Sequence, residues 1–228
     1  MDLQIKLAMS QGFTARCTSL DDVYIPSQAP NIPKSILRRS STLTREVLAL
    51  SDFIFGSDID FLVFATKHGE LNRTQKLLQS LAHNQELSPT QFAQSVHSTA
   101  AGLLTIANSQ NVSFTTVCAS DDTFAMAMVE AVSHLGSSPG STVCLVLADE
   151  YPPPDLEPFI NRDDAGVLAM MLTAGTDFRF SLTSINNNTN SQQTHSNQQQ
   201  LVDFISNVIS KQSADLIANR LNICLVAL

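Results

Sequence analysis

The chain has 228 residues, enough to bury a substantial core as one large domain or two small ones. Its formal net charge of −8 disfavours nucleic acid as a partner, and no apolar run reaches the roughly 18–20 residues that a bilayer span requires. The opening Met1-Asp2-Leu3-Gln4-Ile5-Lys6 lacks the apolar stretch of a signal peptide, so a soluble, cytoplasmic protein is expected.

In chain order, Leu3 to Ala8 alternates like a strand. Ile25 to Lys34 carries Pro26, Pro30 and Pro33 and reads as an extended loop, and Pro33 suits the start of a helix running to about Leu50. Lys34, Arg38, Arg39 and Arg45 make a basic patch on that one helical segment. Ile59 to Thr66 is nearly continuous in apolar residues, as a strand buried on both faces would be. Glu70 to Asn84 has helical periodicity, with Leu71, Thr74, Leu77, Leu78 and Leu81 on one face. Ser88 and Pro89 form a helix start, and the segment through Ser109 reads as one helix or two, broken near Val96. A strand over 112–118, a helix over 122–136 and a buried strand over 141–149 follow. Pro152-Pro153-Pro154 forces an exposed loop. Gly166 to Thr173 and Phe178 to Ile185 read as a consecutive strand pair. Residues 186–200 are Asn, Gln, Ser and Thr without core formers and read as a mobile loop. Leu201 to Asn219 is an amphipathic helix pattern, and Ile223 to Leu228 a last strand. Strands alternating with helices, with long apolar strands, predict an α/β fold: a mixed sheet with helices on both faces.

Cys118 sits between a strand pattern and a helix pattern, a turn that exposes the sulfur and places it at a helix N-terminus. A thiolate catalyst also needs groups that handle protons and an oxyanion. Downstream only His134 and His195 are available, and neither lies in a glycine-rich turn. Asp121 and Asp122 oppose thiolate formation and are equally suited to capping the helix. His68 and Glu70, after a buried strand, stand where α/β folds carry ligand sites; the plainer reading is that Gly69 makes the turn and Glu70 caps a helix. Ser95 to Gly102 is small and polar, which lets a backbone or a ligand come close, and His97 within it is more readily a satisfied buried histidine than a catalyst. Cys17, Cys118, Cys144 and Cys224 show no C-x-x-C pair or metal spacing, so no metal and no cofactor are expected.

Thr116-Val117-Cys118-Ala119-Ser120 resembles the Thr-Ala-Cys-Ser/Ala-Ser/Ala-Gly turn of β-ketoacyl synthases, with Cys118 at the nucleophile position. Phe61 to Thr74, Ser88 to His97 and Asp122-Thr123-Phe124 resemble the β-ketoacyl synthase-like N-terminal family, and Phe159 to Met171 resembles a shortened form of a further synthase segment. The resemblance covers roughly residues 1–185 and implies a thiolase-like fold, cut to about the N-terminal half of a ketosynthase. Asp121 departs from the pattern, which usually has a small residue there, and no His-Gly-Thr-like turn follows.

The short form resembles the chain-length-factor-like subunit of type II polyketide systems that make aryl polyenes. That resemblance implies a non-catalytic partner of a full-length ketosynthase, serving acyl carrier protein through the complex, with no catalytic residue of its own. The implied domain is 1–185, followed by the polar loop 186–200 and a C-terminal helix and strand, 201–228, packed on the same domain. The implied interface strand holds Val112, Phe114, Thr115 and Thr116. The implied tunnel and interface segment holds Phe92, Val96, His97, Ser98 and Thr99. The alternative is a cysteine-dependent acyl-transfer or decarboxylating enzyme that uses Cys118.

Overall fold

A computed structural model describes residues 1–9, 23–26, 31–162, 165–184, 197–217 and 221–228. The described strands are β1 (Asp2–Met9), β2 (Val23–Tyr24), β3 (Phe61–Ala65), β4 (Ser113–Val117), β5 (Val143–Asp149), β6 (Gly166–Ala174), β7 (Phe178–Ser184), β8 (Ala214–Ile217) and β9 (Leu221–Ala227). They form one mixed sheet in the order β4-β3-β5-β6-β1-β7-β9-β8, with β2 added in parallel to β1. β4, β3 and β5 are parallel, and the remaining pairs along that path are antiparallel.

The parallel strands carry apolar side chains on both faces, as their unbroken sequences require. Val63, Ala65, Val143 and Leu145 face one core with Leu168 and Met170. That core is covered by helices α7 (Thr123–Ser137) and α8 (Asn197–Ile209). Leu62, Phe64, Cys144 and Val146 face a second core on the other side. It is covered by α2 (Thr42–Leu48), α3 (Ser51–Ile54) and α6 (Thr99–Ala107). Three further helices are α1 (Lys34–Leu37), α4 (Leu71–Ala82) and α5 (Pro89–Ala93). Helices therefore stand on both faces of the mixed sheet, as expected. Over β7, β9 and β8 the inward residues Phe180, Ile223, Leu225 and Leu216 all join the first core, while Arg179, Ser181 and Asp215 point to solvent.

Several boundaries differ from the sequence reading. The single helix expected up to about Leu50 is α1 and α2 in succession, and α3 follows from Ser51. Ser40 Oγ turns back onto Ile36 O, and Ser41 caps α2 by accepting from Thr44 N–H at 3.0 Å. The basic patch therefore spans two short helices. β6 and β7 do not pair with each other, because β1 lies between them. On α4 only Leu77 is fully buried; Leu78 and Leu81 are exposed. The helix expected over 201–219 starts at Asn197 and ends at Ile209. Lys211, at φ 53°, turns the chain into β8, whose alternating Ala-Asp-Leu-Ile the sequence reading took for helix. The rest of the polar run, to residue 196, lies outside the described residues, as does Cys17. Among the described residues no helix is long and apolar enough to cross a membrane.

Candidate functional site

The site is built on the carboxyl ends of β3, β4 and β5, where loops of α/β folds gather ligands and chemistry. At its centre is Asp149, the last residue of β5, 4% exposed. Its Oδ1 accepts from the Thr66 hydroxyl at 2.9 Å and from His68 N–H at 2.8 Å, and its Oδ2 accepts from Lys67 N–H at 2.8 Å. Thr66 Oγ1 in turn accepts from Gly69 N–H at 2.8 Å, and Thr66 N–H donates to Val117 O on β4 at 3.1 Å. One carboxylate thus fixes the 66–69 turn and ties it to the strand ends. Burial pushes the Asp149 carboxyl up from its ordinary range, and the Lys67 and His68 N–H groups with the Thr66 hydroxyl pull against that rise.

Cys118 meets this turn from β4. Its thiol is exposed and lies 3.5 Å from Lys67 O, to which it donates. The Lys67 ammonium pairs with Asp121. Neither Asp121 nor Asp122 caps α7 through its side chain, contrary to expectation. A single turn of 3-10 helix, Ser120–Asp122, precedes α7, and Thr123 Oγ1 closes it by accepting from Ala119 N–H and donating to Ser120 O. His134 lies at the opposite end of α7, stacked on Phe61 with ring centroids 4.2 Å apart.

His97 is exposed, not a buried histidine. Its ring lies on Gly69, where an added Cβ would come within 3.1 Å of it; Gly69 also has φ 60°, so that position favours glycine twice over. Glu70 does not cap α4. It reaches back to α2, where Oε1 accepts from the Ser41 and Thr44 hydroxyls at 2.8 Å each, and Oε2 faces Arg73 Nε at 3.3 Å. The small residues Ala100 and Ala101 let α6 close onto α2 and are buried there. Thr99 is buried with them, so of the expected tunnel residues it does not face outward. Ser98 is half-buried, while Phe92 is 63% and Val96 50% exposed.

A polar basin of about 560 Å³ opens beside this network, lined by Arg38, Arg39, Arg45, Arg73, Lys76 and Glu150 among others. Glu150 accepts from Asn72 N–H at 2.8 Å, and burial pushes its carboxyl up. The residues expected at an interface lie together on or beside β4, an edge of the sheet that among the described strands pairs only with β3. Phe114 on it is exposed, Thr115 and Thr116 are half-buried, and Val112 lies just before it. Among the described residues no group of three side chains stands ready to hold a metal.

The sequence reading missed Asp149 and Arg73. Asp149 had a signal, since it is a carboxylate that closes an otherwise apolar strand. Two outcomes follow from the geometry. Asp149→Ala removes one acceptor from three donors and should cost about 3 kcal/mol in denaturant unfolding; a loss under about 1 kcal/mol would mean the turn holds without it. Iodoacetamide on the native protein should label Cys118 and spare Cys144, whose burial pushes its thiol up to about 12. At pH 8 about one Cys144 thiol in ten thousand is ionised. Peptide mapping that found Cys144 modified as fast as Cys118 would contradict the packing of β5.

Among curated proteins no sequence matches this chain. Among solved structures, the chain resembles one from a ketosynthase (ApeO) in complex with its chain length factor (ApeC) from Xenorhabdus doucetiae. That match has TM-score 0.76 and 22% identity and covers 99% of this chain and 97% of the other. A β-ketoacyl synthase from Burkholderia phymatum STM815 matches at TM-score 0.53 and 12% identity, over 81% of this chain and 57% of its own. The ishigamide ketosynthase/chain length factor matches at TM-score 0.50 and 16% identity, over 66% of this chain and 51% of its own. These likenesses establish the thiolase-like ketosynthase fold. The family model for the β-ketoacyl synthase N-terminal domain matches residues 15–222, nearly the whole sequence, and the chain belongs to that family.

Proposed function

We propose that this chain is a chain-length-factor-like partner of a full-length ketosynthase, in a heterodimer that elongates polyene or polyketide chains on acyl carrier protein. The observation that carries the reading is the open edge at β4. The strand Ser113–Val117 has no charged residue, presents Phe114 to solvent, and leaves one row of backbone N–H and C=O groups unpaired by any described strand. Such an edge invites a strand from another chain. Phe92, Val96 and Ile106, upstream in the chain, are exposed as well. The likeness in fold and length to a chain from a ketosynthase–chain length factor complex supports the same assignment.

The thiol at the nucleophile position favours a supporting role over a catalytic one. Its neighbour at 3.5 Å is the Lys67 carbonyl oxygen, and the Lys67 ammonium is paired with Asp121. Neither contact activates sulfur. In the complex the ketosynthase supplies nucleophile and proton transfer, while this chain bounds the space for the growing acyl chain with Phe92 and Val96. The cationic basin, on a chain of net charge −8, offers a carrier protein with an acidic surface a local attraction.

The test is product formation by a reconstituted complex of this chain, a ketosynthase and acyl carrier protein. Cys118→Ala should leave the rate within about three-fold of the unaltered complex, because removing a true nucleophile costs several powers of ten. A fall of about a thousand-fold with the heterodimer intact would overturn the reading in favour of an enzyme that uses Cys118.

A further inference from the structure

Arg73 touches three separate pieces of the chain. Its Nε faces Glu70 Oε2 at 3.3 Å, its Nη2 donates to Arg39 O at 3.0 Å, and its Nη1 donates to Gln94 Oε1. Glu70 is 1% exposed, and its other oxygen is held by the Ser41 and Thr44 hydroxyls, so the guanidinium is anchored to a carboxylate that cannot move. All three guanidinium nitrogens face an oxygen, an arrangement that a lysine could not reproduce.

Gln94 ends α5 and begins the link to α6. Ser95 N–H and Oγ both donate to Phe92 O, so the first part of the link turns tightly on α5. Three residues after Gln94, the His97 ring rests on Gly69, in the turn that Asp149 fixes. The link is therefore pinned at Gln94 by Arg73 and at His97 by Gly69. Val96 lies between the two pins, and Phe92 lies just before them. These are the two large apolar side chains of the segment that stand exposed.

We infer that Arg73 is a positioning residue. By holding Gln94 it fixes the stance of Phe92 and Val96, and so sets how long an acyl chain the complex completes. The inference rests on the chain-length reading above. A firmly held wall resists one more extension unit because overpacking is opposed, whereas a wall on a loosened link gives way.

The experiment is the product-length distribution of the reconstituted complex, with assembly checked by size exclusion. Arg73→Ala, Arg73→Lys and Gln94→Ala should each raise the share of products one unit longer than the main product by about three- to ten-fold, the effect of one lost hydrogen bond. The double variant Arg73→Ala/Gln94→Ala should shift it no further than Arg73→Ala alone, since that change already removes the contact that Gln94 makes. Arg39→Ala removes a basin cation but keeps the carbonyl that Arg73 uses; it should slow turnover and leave product lengths unchanged. Val96→Phe should shorten the products. If Val96→Phe shortens them while the Arg73 and Gln94 variants leave lengths as they were, the inference fails and the chain-length reading stands. The inference fails equally if Arg39→Ala shifts lengths as much as Arg73→Ala. If Val96→Phe also changes nothing, the chain-length reading falls and the inference with it. Should Arg73→Ala fail to assemble, Gln94→Ala decides the matter.

Discussion

A buried carboxylate at the end of β5 organises everything at the functional end of this sheet. Asp149 takes hydrogen bonds from one hydroxyl and two backbone N–H groups of the turn after β3. A carboxylate so far from solvent is tolerable only with such partners, and removing them leaves an uncompensated charge. The turn it holds then does three things. Lys67 O meets the Cys118 thiol, Gly69 carries the His97 ring, and Glu70 follows at the place where it can hold α2 and Arg73. The positions of the cysteine turn, the link before α6 and the cationic basin all trace back to that one side chain.

The sheet has two ends, and they differ in the way that directs association. β8 is four residues long and exposes Asp215, a short and charged edge of the sort that deters pairing. β4 carries Ser-Phe-Thr-Thr-Val, without a charge, and exposes Phe114. A second chain that adds to this sheet is thus steered to β4. Cys118 follows this edge strand directly in the chain.

Much of this was legible in the sequence, for identifiable reasons. The buried strands show as unbroken apolar runs, and the split between α5 and α6 shows as small and polar residues around Val96. The cysteine turn carries a family pattern that fixes order and spacing. What failed to show depends on contacts between residues distant in sequence. Glu70 looked like a helix cap because its use by Ser41 and Thr44, 29 and 26 residues away, leaves no local trace. Arg73 lies off the apolar face of its helix pattern, and its partners Arg39 and Gln94 are 34 and 21 residues away. Thr99 shared the polarity of its neighbours, but α6 turns it onto α2. β8 was read as helix because four alternating residues are too few to outweigh the periodicity that precedes them.

The central claim is that a ketosynthase covers the β4 edge. Amide hydrogen exchange of this chain alone and mixed with a ketosynthase tests it most directly. Peptides spanning Ser113–Val117 and Phe92–Thr99 should gain protection in the mixture, while those spanning Ala214–Ile217 exchange as before. Unchanged exchange at Ser113–Val117 in a complex of demonstrated 1:1 mass, or protection at β8 in its place, would contradict it.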